Sequence, residues 1–380
     1  MTTLKISEKD DMILKILHYF ITKEDYKPVI INGVENEIWL ENFENDVKLI
    51  RININYIHNE EQLNYDYFKV KSIMKSIKKN TLSFKMNVIN LLLDTGENVK
   101  IKANKNIETI KVNKVTDIKK NKTMQDLFPN IKTAEFTDKT DVLEFFKLTE
   151  DMNETTMKNE KKLAKIFSPK KPIITYSLII INTLIFLLSL FNIVNIDDMY
   201  MMFGANYELV ASGEFYRLFT CMFFHADLLH LIFNMYALYV LGTRVERYYG
   251  SKRYIVLYLI SGLVASLFSC VFNNINVISI GASGAIFGLF GSIAYFTYHY
   301  RGTLREFLTS GIIPTLLLNL IIGFANTGID MAAHIGGIIG GLLIAMSIGI
   351  GDKTRKNDNI NGIIVLLLMI AFLIYMVMIK

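Results

Sequence analysis

GASGAIFGLFGSIAYF, residues 281–296, combines an apolar run with small residues at helical spacing. The run around it, residues 280–300, reaches the length of about 20 residues that a helix needs to cross a membrane. Small residues on one face let a second helix approach closely. Those in this stretch are Gly281, Gly284, Ala285, Gly288 and Gly291. Ser283 lies among them, and this stretch alone favours a packing role for it over a role as a nucleophile.

The composition divides the chain into two parts. Of its 380 residues, 51% are hydrophobic, and residues 1–172 are charged whereas residues 173–380 hold long apolar segments. Seven segments are candidate spans: 173–192, 216–241, 253–273, 280–300, 306–324, 331–350 and 361–379. We therefore predict a soluble α/β domain over residues 1–150, a flexible basic linker over 151–172 and a polytopic all-α membrane domain over 173–380.

The loop charges predict the orientation. Lysines and arginines precede the first span and follow the second, fourth and sixth spans, whereas loops 193–214, 274–279 and 325–330 have none. The positive-inside rule then puts the N-terminus in the cytoplasm and Lys380 outside the cell membrane. The start, MTTLKISEKDDMILK, lacks the apolar region of a secretory signal, which agrees with a cytoplasmic N-terminal part.

Polar side chains within the spans concentrate toward the outer face. They are His225, His230 and Asn234 in HADLLHLIFN, Ser283 in GASGAIFG, and His334 in DMAAHIGGIIGG. At 1.5 Å per helical residue, Ser283 lies about 27 Å from Arg301 at the inner boundary. His334 precedes Lys353 by 19 residues, which gives a similar depth. The second, fourth and sixth spans run in the same direction, so these side chains can meet if the helices pack closely.

Each of these residues alone has an ordinary structural explanation. Ser283 could pack, and His334 could hydrogen-bond between helices. Asp330 is predicted to be the N-cap of the sixth span, with an orienting role toward His334 as the alternative. A metal site is disfavoured, because HADLLH lacks the glutamate of the membrane metalloprotease pattern. Cys221 and Cys270 give neither a disulfide framework nor metal-ligand spacing.

Together the residues supply the parts for acyl transfer. A serine becomes an effective nucleophile when a neighbouring base takes its proton, a role open to His334. The oxyanion formed by attack on a peptide bond needs donors that are already in place. His230, Asn234 and the Ser283 N–H could supply them.

These motifs resemble those of the rhomboid family of intramembrane serine proteases. GASGAIFG resembles the GxSG segment of the family, AHIGG at 333–337 its AHxxG segment, and HADLLHLIFN its HxxxxHxxxN helix. GEFYRLFT, residues 213–220, resembles the Trp-Arg motif of the first loop, with Tyr216 in place of the tryptophan and Arg217 kept. The resemblance covers about residues 173–380 and implies a six-helix core plus a seventh helix.

The resemblance also implies roles for individual residues. Ser283 would be the nucleophile and His334 the general base, with His230, Asn234 and Gly281 at the oxyanion site. His225 and Arg217 would have supporting roles. Phe287 occupies the position where the family often has a tyrosine that stacks on the histidine. The implied substrates are transmembrane proteins cut near the outer face of the lipid bilayer, with no cofactor, metal or nucleic acid involved.

The N-terminal part has the pattern of helices packed on a sheet. KDDMILKILHYFI and EEQLNYDYFKVKSIMKSIKKN have helical spacing, and the strand candidates are YKPVIING, NEIWL, VKLIRININYI, SFKMNVINLLLD and ETIKVNKV. An acidic stretch, made of Glu35, Glu37, Glu41, Glu44 and Asp46, is interpreted as a solvated hairpin edge. The functional hypothesis for this domain is a regulatory or substrate-recruiting module that responds to a ligand or client, including a cation.

Two other functions remain open at this stage. An inactive rhomboid-like protein would bind membrane clients with the same fold, although Ser283 and His334 are both present. A transporter or channel would use the histidines as a proton path, and it would need acids deep in the spans. Asp227 is the one acid in the core of spans two to six, and it lies toward the outer half.

Overall fold

A computed structural model describes residues 6–81, 83, 85–136, 141–167, 171–191, 196–300, 330–350 and 356–380. The chain forms two compact units, Met1–Lys165 and Ile166–Lys380. The predicted fifth span, 306–324, lies outside the described residues. The domain boundaries at residues 150 and 172 stay predictions.

The first unit is built on a mixed five-stranded sheet in the order β1-β2-β3-β4-β5. Strands β1 to β3 pair in antiparallel fashion, and β3, β4 and β5 pair in parallel. The elements are α1 (Glu8–Lys23), β1 (Lys27–Val29), β2 (Glu37–Glu41), β3 (Val47–Asn53), α2 (Glu60–Thr81), β4 (Asn87–Leu92) and β5 (Ile107–Lys111). This arrangement confirms the α/β class predicted for the N-terminal part.

The alternation of side chains along β3 explains why both faces of the sheet are covered. Ile50 and Ile52 point to the face that α1 covers, where Phe20 is fully buried. Leu49 points to the opposite face and packs with Val70 of α2. Successive strand residues alternate between faces, so a strand with apolar residues on both faces must be central.

The first unit ends in three further helices, and the last of them differs from the predicted flexible linker. They are α3 (Val115–Lys120), α4 (Lys122–Leu127) and α5 (Val142–Phe167). Met152 of α5 packs against the core on the α1 face, and His18 of α1 lies 3.4 Å from the Asp151 carboxylate. Residues 151–167 contain no glycine or proline, so their charged side chains are compatible with a helix that continues beyond residue 151.

The second unit is mainly helical, and five of its described helices are long and apolar enough to cross a membrane by length and composition. These five are α6 (Ile173–Leu190), α10 (Leu228–Tyr249), α11 (Ser251–Phe272), α13 (Met331–Ile348) and α14 (Lys356–Ile379). A sixth apolar helix, α12 (Ser283–His299), has 17 residues. The shorter elements are α7 (Ile196–Phe203), β6 (Ala205–Asn206), α8 (Tyr207–Ala211), α9 (Arg217–Thr220) and β7 (Ile278–Ser279). These helices confirm the polytopic helical fold class.

The predicted second span, 216–241, is wrong in its bounds. Residues 217–223 form a short helix and a 3₁₀ turn, and α10 begins at Leu228 after the N-cap Asp227. The Asp227 side chain accepts from the His230 N–H at 2.8 Å and fixes this start. The sequence before Asp227 is as apolar as the helix, so composition alone could not locate the boundary.

The longer α10 also changes the count of acids in the spans. Glu246 lies in its last turns and is fully buried. Its carboxylate accepts from the Ile174 and Thr175 N–H groups at 3.0 and 2.8 Å, and from the Thr175 and Ser251 hydroxyls. Glu246 therefore caps the N-terminus of α6, where a carboxylate is favoured by the free N–H groups. The predicted bounds of this span, 216–241, left Glu246 out.

Glycines bring α12 and α13 into backbone contact. A Cβ on Gly341 would overlap the Gly288 carbonyl oxygen, and one on Gly337 would overlap that of Gly284. A Cβ on Gly288 would likewise overlap the Ser261 side chain of α11. This close approach is the packing that small residues at four-residue spacing predict. It places the start of α13 beside the start of α12.

Candidate active site

Ser283 is the first residue of α12 and is half-buried. The chain reaches it through β7, which pairs with β6, and then through Gly281 at a φ of +111°. Only glycine adopts this conformation without strain. The Gly281 N–H donates to the Cys221 carbonyl at 2.9 Å, which holds the turn in place. The Ser283 N–H lies in the first helical turn, where backbone donors lack helical acceptors.

His334 lies in the first turn of α13 and meets Ser283. Its Nε2 is 3.0 Å from the Ser283 Oγ, a hydrogen-bonding distance, and the histidine is 4% exposed. The ring stacks on Phe287, with centroids 4.0 Å apart and planes at 18°. Phe287 lies one turn after Ser283 on α12, so one helix holds both the serine and the stacking partner of the histidine.

The other nitrogen of His334 decides what the pair can do. Nδ1 is buried and has no hydrogen-bond partner among the described residues. A neutral imidazole carries its proton on one nitrogen, so a proton on Nδ1 leaves Nε2 free to accept from the serine. The geometry therefore suits transfer of the Ser283 proton to His334, with the ring held by stacking.

His230 presents a donor to the same place. Its Nδ1 accepts from the Ala226 N–H at 3.3 Å, which assigns the proton of the neutral ring to Nε2. A Cβ built on Gly281 would lie 2.7 Å from that Nε2, so the glycine leaves room between the imidazole and the start of α12. An N–H donor and the Ser283 N–H thus flank the same small volume.

Asn234 and His225 lie beside His230. Asn234 is buried, and its Nδ2 donates to the His230 carbonyl at 2.9 Å, with a second hydrogen available. The same Nδ2 is 4.0 Å from a Cβ built on Gly281. His225 is buried and packs edge-on against the His230 ring, with centroids 5.2 Å apart. Of the predicted residues, His230 and Asn234 therefore lie beside Gly281, and His225 packs against His230.

Arg217 is held within the first loop rather than at this site. Its side chain donates to the Glu214 carboxylate at 2.7 Å and to the Gly204 carbonyl at 3.1 Å. Tyr216 donates to Glu214 at 2.8 Å and to the Met202 carbonyl at 3.1 Å. These bonds fold the loop on itself, which suits a supporting role.

The acidic stretch of the first unit is not simply a solvated edge, because Glu37 is buried. Its carboxylate accepts from Arg51 at 2.7 and 2.8 Å, and Lys69 also donates to it. Burial alone would raise the pKa of Glu37, but the bonds from Arg51 and Lys69 outweigh it and lower that pKa to about 2. Within the described residues, no group of three or more His, Cys, Asp or Glu side chains could hold a metal ion. The cation-sensing hypothesis thus gains no site.

Sequence reasoning missed three residues near the start of α13: Ser269 of α11, Asn273 directly after α11, and Lys380 directly after α14. Ser269 and Asn273 donate to Asp330, and Lys380 donates to carbonyls at the end of α11. The only signal in the sequence is the four-residue spacing of Ser269 and Asn273, which places them on one helix face.

The chain has recognisable relatives. A family model described as Rhomboid domain matches residues 212–350. The rhomboid protease GluP of Bacillus subtilis (strain 168) is 33% identical over 259 residues, which cover 66% of this chain and 51% of that protein. YdcA, a second rhomboid-named protein of Bacillus subtilis, is 33% identical over 136 residues, which cover 36% of this chain and 68% of that protein.

A third relative comes from another bacterium. The rhomboid protease AarA of Providencia stuartii is 33% identical over 174 residues, which cover 39% of this chain and 61% of that protein. The chain spans about half the length of GluP. The apolar helices and these matches identify a multi-pass membrane protein, and the chain belongs to the rhomboid family.

Proposed function

We propose that this chain is an intramembrane serine endopeptidase that uses Ser283 and His334 as a catalytic dyad. The observation that carries the proposal is the 3.0 Å approach of Ser283 Oγ to His334 Nε2, beside the donors of His230. The relatives GluP and AarA are named as rhomboid proteases, which supports the same activity.

The mechanism follows from these atoms. Ser283 Oγ attacks the peptide carbonyl carbon while its proton passes to His334 Nε2. The carbonyl oxygen becomes an oxyanion that accepts from His230 Nε2–H, Asn234 Nδ2–H and the Ser283 N–H. As the C–N bond breaks, the leaving amine takes the proton from His334. Water then attacks the acyl-enzyme and gives a proton to His334, which passes it to Ser283 Oγ as the acyl–oxygen bond breaks and the carboxyl product leaves.

The substrate class follows from the surroundings of the dyad. Ser283 lies at the start of an apolar helix, so the cut bond must enter the membrane domain from a neighbouring transmembrane segment. The loop charges put this end of α12 toward the outside of the cell membrane, with the N-terminus in the cytoplasm. Cleavage is therefore expected near the outer end of the substrate helix. The first loop would line the lateral entry.

The test is cleavage of a model transmembrane substrate by the purified full chain in detergent micelles. The matched proteins are Ser283→Ala and His334→Ala, and all three are also treated with a fluorophosphonate that labels activated serines. The wild type should cleave and label, and both variants should do neither, because dyad members act as a unit. Cleavage that persists in Ser283→Ala would refute the nucleophile assignment. A folded wild type that neither cleaves nor labels would favour an inactive protein that binds membrane clients.

A further inference from the structure

Asp330 connects the helix that carries His334 to a different helix. Its Oδ1 accepts from the Ala333 N–H at 2.8 Å and thereby caps α13. The same oxygen accepts from Asn273 Nδ2 at 2.7 Å, and Oδ2 accepts from Ser269 Oγ at 2.5 Å. Capping alone needs only the first of these three bonds. The other two fasten the start of α13 to the end of α11.

The α11 side of this connection is itself held in place. Asn273 Nδ2 also donates to Ser269 Oγ at 3.1 Å, so the two side chains form one unit. The ammonium of Lys380, from α14, donates to the carbonyls of Cys270, Val271 and Asn273 at 3.1, 2.9 and 2.7 Å. A cation at the C-terminal end of a helix satisfies carbonyls that lack helical donors. The seventh helix therefore stabilises the anchor to which Asp330 binds.

The place of His334 on its helix makes this connection important for the dyad. His334 is the fourth residue of α13, one turn after Asp330, and its N–H donates to the Asp330 carbonyl. Terminal turns are the part of a helix that loosens most easily. Phe287 stacks on one face of the ring, but Nδ1 has no partner among the described residues to fix the ring edge. The backbone of this first turn must therefore set the distance between Nε2 and Ser283.

We propose that Asp330 is a positioning residue for the dyad, acting through an anchor formed by Ser269, Asn273 and Lys380. This inference rests on the proposed protease function. Asp330 does not touch the substrate. It fixes the height and rotation of the first turn of α13, so that His334 Nε2 stays at 3.0 Å from Ser283 Oγ. A displacement of about 1 Å at such a pair costs up to about 100-fold in rate.

The experiment separates the anchor from the cap. Asp330→Ser keeps an N-cap oxygen but is too short to reach α11, and the double variant Ser269→Ala/Asn273→Ala keeps Asp330 but removes its partners. Lys380→Met weakens the anchor from α14. The control is Glu246→Gln, since Glu246 is another buried carboxylate that caps a span, α6, by several bonds without touching α13. The kcat and KM for a transmembrane substrate and the fluorophosphonate labelling rate of Ser283 are measured on full chains, with thermal unfolding of each.

The expected pattern is a loss of rate without a loss of binding. Asp330→Ser and the double variant should lower kcat and the labelling rate by about 10- to 100-fold at nearly unchanged KM. Lys380→Met should lower them by a smaller factor. Glu246→Gln should lower the unfolding temperature at least as much, yet keep kcat within about threefold.

Two results overturn the inference, and they are distinguishable from failure of the proposed function. If the wild type cleaves and labels but the Asp330 and α11 variants match Glu246→Gln, Asp330 is only a helix cap. If their KM rises while kcat stays constant, the anchor shapes substrate binding instead of the dyad. If the folded wild type neither cleaves nor labels, the protease function and this inference both fall.

Discussion

The cluster around Arg51 in the first unit and the Ser283–His334 site in the second unit both bury polar side chains, and they use them differently. Every guanidinium nitrogen of Arg51 donates to a side-chain oxygen, at 2.6 to 2.9 Å, with Glu37, Asp66 and Asn90 as acceptors. At the other site, His334 Nδ1 has no partner among the described residues.

The difference separates polar groups that hold a fold from polar groups that are free to react. A buried charge network is tolerated when all of its members are paired, and removing one member leaves the others unpaired. A catalytic side chain instead needs a donor or acceptor that changes partner during the reaction. Mutations in a cluster whose polar atoms all have hydrogen-bond partners should therefore lower the stability of the fold. Mutations in a cluster that keeps an unpaired polar atom should instead lower the reaction rate. Five predictions test this contrast, and they are ordered from the largest expected change in activation or unfolding free energy to the smallest.

Removal of the proposed nucleophile should have the largest effect on rate and almost none on stability. Ser283→Ala is expected to lower cleavage by about 10⁴-fold or more, because no other group takes its place. Among the described residues the hydroxyl makes one hydrogen bond, to His334. The free energy of unfolding should therefore change by about 1 kcal/mol or less. Initial cleavage rates and thermal unfolding of the two proteins measure both quantities. A large loss of stability would place Ser283 in the same class as Arg51.

Removal of Arg51 should have the opposite signature. Arg51→Met leaves the buried carboxylates of Glu37 and Asp66 without their main partner. This change is expected to lower the free energy of unfolding of the first unit by about 3–5 kcal/mol. Hydrogen exchange of the β3 and β4 amides in the full chain measures the stability of this unit. The matched control is Lys102→Met, which removes an exposed pair with Glu60 and should change the stability little, because solvent screens that pair. Equal protection in the two variants would contradict a structural role for the Arg51 cluster.

His230→Ala tests the proposed oxyanion donor. It should lower kcat by about 10²–10³-fold, the usual effect of losing one such donor, with little change in KM. His230→Gln keeps an N–H donor of similar reach and should recover part of the rate. A rise in KM at constant kcat would instead assign His230 to substrate binding. Unlike Arg51→Met, neither variant should alter hydrogen exchange in the first unit.

Acid should weaken the Arg51 cluster through Glu37. The pKa of this carboxyl falls from an ordinary 4.5 to about 2 in the folded unit, so the folded state favours the ionised form. The contribution of this pKa shift to folding stability is fully present above the pKa of Glu37 in the unfolded chain, near 4.5. It is lost as the pH falls toward 2. Hydrogen exchange or circular dichroism between those pH values should show the loss. The Glu37→Gln variant should be less stable than the wild type at neutral pH. Its stability should depend much less on pH between 4.5 and 2.

Much of the fold was accessible from the sequence because hydrophobic patterns reflect burial directly. The alternation in VKLIRININYI predicted a strand, and β3 is the central strand of the sheet. The predicted flexible linker overlaps the second half of α5, because residues 151–167 lack glycine and proline and can continue a charged helix. The second span was misplaced since apolar composition does not distinguish a membrane helix from the short helix and 3₁₀ turn that precede Asp227.

The candidate site could be predicted from the sequence to the extent that the depth of each residue in the membrane and the spacing of small residues along the helices determine it. Span direction and the glycines predicted that Ser283 and His334 could meet, and their atoms lie 3.0 Å apart. The anchor of Asp330 was not accessible, because its partners Ser269 and Asn273 are 61 and 57 residues away in the sequence. Such contacts depend on the rotation of each helix about its own axis, which an almost uniformly apolar sequence does not specify.

The smallest predicted effect concerns the ring that holds His334 without a hydrogen bond. Phe287→Leu keeps an apolar side chain but removes the stack, and an aromatic pair is worth about 0.5–1.5 kcal/mol, so kcat should fall by up to about tenfold. Phe287→Tyr keeps the stack and adds a hydroxyl, so it should stay within about threefold of the wild type. If both variants lose the same rate, the volume at this position matters and the stack does not. If Phe287→Leu has full activity, the ring is positioned by the backbone of α13 alone, and the contrast with the Arg51 cluster becomes sharper.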